Sequence, residues 1–584
     1  MEIPSLTAVA TLTPEVAHPS TTSFTSAASL ATATNLASLV ARASAAQGAP
    51  PVIPARIDMP IAIRPHGLPP RGLFAPVANL NDGLFGQMFH LTPAKFGASD
   101  GETAANLTKL GAAMSASHDD PKDGPDAEES GIPAAYTYFG QFIDHDLTFD
   151  PSSSLEKQND PNALVDFRTP RFDMDNLYGR GPADQPYMYQ ADGVHFQLGT
   201  PLSGCNNNKN AQDLPRSPFA PNRALLGDPR NDENTIVSQL QGLWLRFHNM
   251  VADANKGKTF EQIQQEVRFH YQWIVVHDFL PKMINAGVLD AVLPGASGGN
   301  PDWSKLNIRF YKPTKDLYMP VEFSGAAYRF GHSMIRPGYR LNDSTGPVPI
   351  FSMTDLDLRG FKPMPQAWAI DWRRFIDCEP LHAGTDTPTV ANIGNNKQRC
   401  QLAYKIDTSL TNPLANLPST IASDPPPSLA TRNLLRGWRL GLPSGQQVAT
   451  AMGFTPLADA DIKIGQFVVD STGKPDPTGI KGVITDAAIG GPAFKNNCPL
   501  WTYILAETIQ TKLPVQTSDV PNLMVDTRQL GKVGGTIVAE VFLGILHGDK
   551  YSYMNMNPGW KPSVGVGAGG KFGLREMIGF VESH

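Results

Sequence analysis

Residues 136–150, YTYFGQFIDHDLTFD, place strongly polar side chains among aromatic and aliphatic ones. An α-helix advances by about 100° per residue, so Gln141 and His145 lie only about 40° apart on one face, and Asp144 flanks that face. Asp146 points elsewhere. The apolar neighbours predict a buried helix, and buried polar groups need partners. The segment therefore predicts one ligand on the Gln141 face and a second site at Asp146.

This cluster has two interpretations. An Asp-His-Asp run on its own more often forms a solvated turn, or a network of side-chain hydrogen bonds, than a catalytic site. The aromatic and aliphatic side chains around it favour burial, and buried polar groups are satisfied by specific partners. The choice therefore depends on what the rest of the chain supplies.

A second polar pattern lies at residues 169–175, TPRFDMD. Calcium takes about six to eight oxygen ligands from carboxylates, hydroxyls and backbone carbonyls. One more strong ligand than the loop offers is needed, and Asp146 is free to supply it. Taken alone, the loop is better explained as an acidic surface loop that ends in a Tyr-Gly pair. The candidate ligands within it are the side chains of Thr169, Asp173 and Asp175 and the carbonyl of Arg171.

Further polar residues stand beside apolar helices. Arg230 and Glu233 lie in GDPRNDE, before a strongly apolar helix, where Glu233 is also explained as a first-turn acid favoured by the helix dipole. His332 ends the segment AYRFGH, and a lone histidine there is more often a satisfied core residue than a ligand. The predicted partner of His332 is Asn433, in RNLLRGWRLGLP.

Composition disfavours several classes of partner and site. The net charge of −7, without runs of Lys or Arg, argues against a nucleic-acid surface. The spacing of the four cysteines disfavours a zinc site or a dense disulfide frame, although Cys378 and Cys400 remain able to pair. No apolar stretch reaches the roughly 18 residues of a membrane span. Residues 1–41 lack Lys and Arg and show no standard secretory signal. We expect a soluble protein, with its localisation and export by another route left open.

The chain divides by composition into a tail and one large domain. Residues 1–60, rich in Ala, Ser, Thr and Pro, are predicted to form a tail with one weak helix at 27–46. Helical periodicity dominates residues 70–584, and residues 115–133 read as a loop. The 52 glycines and 52 prolines predict long connections, so the fold class is mainly α, a large single helical domain with little β structure. Helices are predicted at 134–149, 235–255, 260–284, 324–334, 428–438, 499–513 and 534–548.

In this order and spacing, the segments resemble the animal-type haem peroxidases of the peroxidase-cyclooxygenase superfamily. The family's distal motif, Gly-Gln-x-x-Asp-His-Asp, stands here as residues 140–146, and its calcium loop ending in Tyr-Gly as residues 169–179. Its Arg-x-x-Glu is residues 230–233, and its proximal Arg-x-Gly-His is residues 329–332. The resemblance covers most of residues 75–560. It departs at Asn234, where sulfonium-forming members carry methionine, so that third haem bond is not expected.

The resemblance implies a haem peroxidase that reduces hydrogen peroxide through an oxyferryl intermediate and oxidises halides, thiocyanate or small aromatic donors. His332 is implied as the iron ligand, with Asn433 accepting its Nδ1–H. His145 is implied as the general acid and base, and Arg230 as a fixed cation beside the breaking O–O bond. Gln141 is implied to hold water or a halide.

The same resemblance implies how the cofactors are bound. Haem b is implied to be esterified through Asp144 and Glu233. One calcium ion is implied between the 140–146 segment and the 169–175 loop. The other haem-binding residues are Arg329 and Arg436, and the calcium ligands are Asp146, Thr169, Arg171, Asp173 and Asp175.

Other functions remain open at this stage. A fatty-acid dioxygenase of the same superfamily would carry a radical tyrosine three residues before the proximal histidine, but Arg329 stands there and Tyr328 is one residue away. A haem-containing adhesion or matrix protein with little turnover would need partner modules, and the only spare segment is the tail. The oligomeric state and the physiological electron donor are left undetermined.

Overall fold

A computed structural model describes most of the chain from residue 83 onward. The described residues are 83–116, 127–149, 165–166, 168–314, 316–352, 356–378, 399–419, 421–422, 424–468, 479–518, 520 and 522–584. The tail and the weak helix expected at 27–46 lie outside them.

Helices dominate the described part of the chain, as expected from the periodicity. The α-helices are α1 (Asp100–Ala113), α2 (Ala135–Leu147), α3 (Asp175–Tyr178), α4 (Thr235–Ala254), α5 (Phe260–Ile274), α6 (Leu280–Met283), α7 (Ala286–Val292), α8 (Val321–Gly325), α9 (Leu429–Arg439), α10 (Gly445–Ala451), α11 (Leu500–Ala506), α12 (Lys532–Gly548), α13 (Tyr553–Met556) and α14 (Leu574–Ser583). A π-helical turn, Val275–Phe279, joins α5 to α6. The 3₁₀ helices are Pro186–Met188, Pro229–Asp232, Trp303–Lys305, Ala327–Met334, Trp372–Arg374, Asn412–Ala415, Asp459–Asp461, Pro492–Phe494 and Ala568–Gly570.

The strands are short and form small separate sheets. In one sheet β1 pairs antiparallel with β3 and parallel with β4, and the others are antiparallel pairs: β2–β7, β5–β6, β8–β9 and β10–β11. The strands are β1 (Gly83–Gly86), β2 (Glu129–Pro133), β3 (Val165–Asp166), β4 (Tyr318–Pro320), β5 (Gly338–Arg340), β6 (Pro347–Pro349), β7 (Leu402–Tyr404), β8 (Lys463–Gly465), β9 (Ile480–Val483), β10 (Ile509–Val515) and β11 (Leu523–Gln529).

Helix α2 lies in the core because aromatic side chains cover it on several sides. Phe139 and Phe142 stack on Trp244 of α4, with ring centroids 6.4 and 6.0 Å apart. Tyr271 of α5 meets both phenylalanines edge-on. Such contacts add roughly 0.5–1.5 kcal/mol per pair beyond the apolar area that they bury. The helix that carries the polar cluster is therefore rigidly placed.

Helix α12 is buried along most of its length, and its one internal charge has a structural role. The carboxylate of Glu540 accepts hydrogen bonds from the backbone N–H groups of Phe310 (2.6 Å) and Tyr311 (3.0 Å). Both backbone donors reach Oε2, whereas Oε1 has no hydrogen-bond partner among the described residues. Glu540 therefore connects the loop at Phe310 and Tyr311 to α12.

Some predicted elements were wrong in type. The helix expected at 499–513 ends at Ala506, and Ile509–Val515 continues as a strand whose exposed and half-buried side chains alternate. The carboxylate of Glu507 turns back to accept from Val533 N and Gly534 N at the start of α12, both at 2.7 Å. Part of the loop expected at 115–133 is strand β2, buried against β7.

The helix expected at 324–334 is also interrupted. It breaks at Ala326, whose φ and ψ are −142° and −67°, and resumes as a 3₁₀ helix. Three residues make one turn of a 3₁₀ helix, so Arg329 and His332 lie on the same side. All four cysteines, which the structure describes, are free, so Cys378 and Cys400 form no bond with each other.

Candidate active site

One cavity collects most of the polar residues that the motifs single out. Its volume is about 490 Å³, within the range of roughly 300–1,000 Å³ typical of ligand sites. Apolar side chains such as Phe279, Leu358, Leu417 and Leu440 form much of the wall. The polar lining residues are Gln141, Asp144, His145, Arg230, Glu233, Asn234, Arg329, His332 and Arg436.

His145 is buried on α2 and is held by a hydrogen bond at one ring nitrogen. Its Nδ1 lies 2.6 Å from Asn231 Oδ1, and its Nε2 lies 3.7 Å from Glu233 Oε1. Burial lowers the pKa of His145 to about 3, and the neighbouring Arg230 acts in the same direction. The imidazole is therefore neutral near neutral pH, and one of its nitrogens is available to accept a proton.

Arg230 is held beside His145 by a buried carboxylate. Its Nη2 donates to Asp228 Oδ2 at 2.7 Å and to the backbone carbonyl of His145 at 3.1 Å. The guanidinium lies over the ring of Phe149, 4.5 Å from its centroid. Arg230 and Arg168 hold the pKa of Asp228 well below its usual range against the effect of burial. The cation at the cavity wall therefore has a fixed position.

Gln141, Glu233 and Asn234 form a hydrogen-bonded group on the same wall. Gln141 Nε2 donates to Glu233 Oε1, and Asn234 Nδ2 donates to Gln141 Oε1 at 3.0 Å. Asn234 Oδ1 also caps α4 by accepting from Ile236 N and Val237 N. Burial raises the pKa of Glu233 to about 7, with Arg230 opposing the shift.

Asp144 is the second carboxylate at this wall. It accepts a hydrogen bond from Thr148 Oγ1 at 3.1 Å. Burial raises its pKa, against the opposing effect of Arg230. Glu233 and Asp144 are close enough for the charge of Asp144 to raise the pKa of Glu233. The two acids therefore face a common space.

His332 lines the cavity from the 3₁₀ helix Ala327–Met334, and its contact with Asn433 differs in detail from expectation. Asn433 meets His332 as expected, but through its nitrogen: Nδ2 lies 2.7 Å from His332 Nδ1. The carbonyl Oδ1 of Asn433 instead accepts from Arg329 Nη1 at 3.0 Å. A guanidinium offers only donors, so it attracts the oxygen end of the amide. Burial, aided by Arg329, lowers the pKa of His332 to about 3.

The acids expected to bind calcium meet behind α2. Carboxylate oxygens of Asp146, Asp173 and Asp175 lie within 4.8 Å of one another. Neither oxygen of Asp146, which is fully buried, has a hydrogen-bond partner among the residues that the structure describes. Burial, followed by the charges of the other two acids, raises the pKa of Asp146. This donor set fits a hard cation, which would neutralise the converging charges.

The remaining expected ligands lie near these acids. The hydroxyl of Thr169 donates to Asp173 Oδ2 at 2.7 Å, and the side chain of Arg171 approaches Asp549 at 3.9 Å. Arg168 bridges this group to the cavity, because its Nη1 lies 3.3 Å from Asp175 Oδ2 and its Nη2 2.6 Å from Asp228 Oδ2. Asp228 in turn holds Arg230. The cation site is therefore linked to the cavity by ion pairs.

A comparison with protein families decides what this arrangement is. The family model described as animal haem peroxidase matches residues 156–462, more than half of the chain. The chain belongs to the animal haem peroxidase family. The family binds haem, and the match includes the 169–175 loop, Arg230, His332 and Asn433. Helix α2 precedes the first matched residue.

Similar proteins include other members of this haem peroxidase family. Peroxidasin of Drosophila melanogaster is 25% identical over 343 residues, which are 54% of this chain and 20% of that protein. Thyroid peroxidase of Sus scrofa is 25% identical over 294 residues, 49% of this chain and 27% of that protein. The chain thus spans only a fifth to about a quarter of the length of these relatives.

Solved structures of similar proteins include peroxidase A from Dictyostelium discoideum. It has a TM-score of 0.47 and 15% identity, over 81% of this chain and 88% of that one. Fatty acid alpha-dioxygenase from Oryza sativa has a TM-score of 0.46 and 14% identity, over 84% of this chain and 78% of that one. Among the described residues of this family member, no helix has the length and apolar character of a membrane span.

Sequence reasoning missed several residues at the site of this haem peroxidase family member. Asn231 and Asp228 contact His145 and Arg230, and Asn234 orients Gln141. All three lie in or next to GDPRNDE, a segment unusually dense in Asp and Asn before an apolar helix. That density was the available signal. It does not say which polar side chain meets which partner.

Proposed function

We propose that the chain is a haem-dependent peroxidase that reduces hydrogen peroxide and oxidises small donors. One observation carries the proposal: buried His145 and half-buried His332 line a single cavity together with the cation of Arg230. His332 would bind the haem iron, and His145 and Arg230 would face the peroxide. Haem iron, when bound, supplies the electrons that cleave the O–O bond.

The residues of the cavity would move one proton. His145 Nε2 takes a proton from one oxygen of hydrogen peroxide and returns it to the other oxygen, which leaves as water. Arg230 stabilises the negative charge that develops on the leaving oxygen. Because Asp228 and the His145 carbonyl already hold the guanidinium, little reorganisation is needed at that moment.

Binding through His332 Nε2 requires the proton of its ring on Nδ1. An acceptor must then face Nδ1, as carboxylate and carbonyl oxygens do for other metal-bound histidines. Rotation of the Asn433 amide by about 180° about its terminal torsion brings Oδ1 to that place. Arg329 and Arg436 line the cavity and would pair with the carboxylates of a haem. We expect haem to select this amide orientation.

Asp144 and Glu233 would form the ester links to haem b. Both line the cavity, and burial favours the protonated form of each acid. A carboxyl group held against a reactive carbon has a large advantage from proximity alone. Bond formation would follow oxidation of the haem by peroxide. The alternative is that both acids only hydrogen-bond in the cavity.

One calcium ion would bind Asp146, Asp173 and Asp175, with Thr169 and the Arg171 carbonyl completing the set. The unpartnered oxygens of buried Asp146 support this proposal. The donors would be halides, thiocyanate or small phenols, with Gln141 Nε2 offering a hydrogen bond to an anion or to water. Arg329 engages Ser324 and Asn433 and occupies the position of a dioxygenase's radical tyrosine, so a peroxidase is favoured over that alternative.

The test is haem binding by the purified full chain. After expression with ample haem, the wild type should show a Soret band and oxidise a phenolic donor with peroxide. The variant His332→Ala should lose most of the band, because a haem without its axial ligand is poorly held. A matched control, His248→Ala, removes a buried histidine that contacts Tyr178 and Val194 instead of the cavity. A wild type that stays colourless would refute the proposal.

A further inference from the structure

Asn231 is a buried amide between His145 and the core. It is fully buried, and its Oδ1 lies 2.6 Å from His145 Nδ1. On the other side, its Nδ2 donates to Gln241 Oε1 at 2.9 Å. Gln241, on α4, is also fully buried. A row of three side chains therefore leads from the cavity into the core.

The order of atoms in this row decides where the imidazole proton lies. The Oδ1 atom of Asn231 can only accept a hydrogen bond, so the His145 nitrogen that faces it must be the donor. The Nδ2 atom donates to Gln241 Oε1, so turning the Asn231 amide alone would set its Oδ1 against that oxygen. A neutral imidazole carries one proton, and that proton is placed on Nδ1.

The backbone that carries Asn231 is fixed as well. Asn231 lies in the 3₁₀ helix Pro229–Asp232, which Asp228 caps by accepting from Arg230 N at 2.8 Å. Asn231 N donates to Asp228 O at 3.1 Å. The neighbouring Arg230 contacts the backbone carbonyl of His145, so this one turn meets His145 at two points. Small shifts of α2 would therefore be resisted by the same turn that orients the ring.

We propose that Asn231 is a positioning residue that keeps the proton of His145 on Nδ1 and so keeps Nε2 as the proton acceptor towards the cavity. The inference rests on the proposed peroxidase function, in which Nε2 accepts the proton of peroxide. When Nε2 accepts that proton, Nδ1–H stays bonded to Asn231, and the Nε2 proton then leaves with the departing oxygen. Asn231 exchanges no proton and no electron.

Ligand binding separates this role from a structural one. Hydrogen cyanide must give up its proton to a distal base as cyanide binds ferric haem, whereas carbon monoxide binds ferrous haem without proton transfer. Asn231→Leu keeps the volume and removes the acceptor. We expect cyanide association to slow by about 10- to 100-fold, the ratio that corresponds to leaving one buried N–H unpaired in the productive tautomer. Carbon monoxide association should stay within about 2-fold of the wild type.

Two further variants keep the test decisive. Asn231→Asp retains an oxygen opposite Nδ1 and should keep cyanide association close to the wild-type rate, as carboxylates orient imidazoles elsewhere. Asn342→Leu removes another fully buried asparagine, which bonds Ala367 and Ala369 away from the cavity, and should change neither rate. Equal slowing of cyanide in Asn342→Leu, or equal slowing of both ligands in Asn231→Leu, would reduce the effect to general destabilisation and overturn the inference.

The tautomer can also be observed directly. In the ferrous carbon monoxide complex of the full chain, ¹⁵N-labelled histidine should show the His145 proton on Nδ1, with His145→Gln identifying the signal. A proton on Nε2 in the wild type would overturn the inference. A wild type that takes up no haem would overturn the proposed function and this inference with it. Normal haem binding with unchanged cyanide association in Asn231→Leu would overturn this inference alone.

Discussion

The two histidines of the cavity differ in how firmly their hydrogen-bond partners are held. We call α2 and residues 229–234 the His145 wall, and the 3₁₀ helix Ala327–Met334 with α9 the His332 wall. On the His145 wall, the partner of each polar side chain is itself held by a further contact: Asn231 by Gln241, and Asp228 by Arg168. On the His332 wall, the single amide of Asn433 serves both His332 and Arg329.

This difference shows which parts of a cofactor site the chain can complete by itself. The His145 wall presents a base and a cation in fixed positions, so its electrostatic preorganisation does not depend on the cofactor. The His332 wall has its ligand in place, but its amide is turned towards the strongest donor available. We therefore expect haem binding to reorganise the His332 wall and to leave the His145 wall largely unchanged.

The largest expected effect is on the rate with which hydrogen peroxide reacts. His145→Ala and Arg230→Ala should retain haem, because His332 still holds it, yet the acid–base contribution of His145 is worth about 10²–10⁴ in rate. Stopped-flow mixing with peroxide, followed at the Soret band, measures this. Unchanged rates in both variants would contradict this expectation, because the His145 wall would then have no chemical role.

Much of this arrangement was predictable from sequence, because the motifs carry both residue type and spacing. The pattern of residues 136–150 predicted a buried helix, and α2 brings Gln141, Asp144 and His145 to one cavity. The orientation of the Asn433 amide was not predictable, because it depends on a guanidinium 104 residues away in sequence. The same holds for Asn231, whose partner on α4 is set by tertiary packing.

The secondary-structure errors have a local cause. Residues 509–515, IQTKLPV, alternate in polarity with a period of two, but only two residues separate them from an apolar helix, so the sequence predicts that the helix continues. The break at Ala326 follows Gly325, but a single glycine inside a helical pattern does not by itself predict the end of a helix. Both errors fall where one short element gives way to another without a clear stop signal.

Calcium removal should affect the His145 wall more than the His332 wall, because the cation site lies behind the His145 wall. Without calcium, three acids with unpartnered or shared oxygens face one another, and the ion pairs through Arg168 to Asp228 are disturbed. Asp173→Ala should therefore lose the metal, lower the thermal stability and slow the peroxide reaction, while the His332 ligation spectrum persists.

Elemental analysis, thermal unfolding and the ferrous Soret spectrum would follow these effects separately. Asp192→Ala provides a matched control, because that acid pairs with His195 at the surface, away from the cation site. Active enzyme without calcium would contradict the expectation. Loss of the His332 spectrum before any change in peroxide reactivity would also contradict it. Calcium loss would then affect the His332 wall before the His145 wall.

A smaller effect is expected from the carboxylates of the His145 wall. If Asp144 and Glu233 form esters, acidified organic solvent should leave part of the haem on the chain after several peroxide turnovers. Asp144→Ala and Glu233→Ala should each increase the extracted fraction, and the double variant should release all haem. Complete extraction from the wild type after turnover would show that both acids only hydrogen-bond.

The smallest effect concerns Asn234, which joins the start of α4 to the cavity. Asn234→Ala removes a helix cap and should lower the free energy of unfolding by about 1 kcal/mol. Asn234→Asp keeps the capping oxygen but removes the donor to Gln141, so stability should remain while Gln141 turns its amide away from Glu233. The halide dissociation constant, read from the Soret shift, should then change by a few-fold in both variants, because each loses the contact that orients Gln141. Equal halide binding in the wild type and both variants would show that Glu233 alone orients Gln141. The contact between Asn234 and Gln141 would then contribute nothing to the preorganisation of the His145 wall.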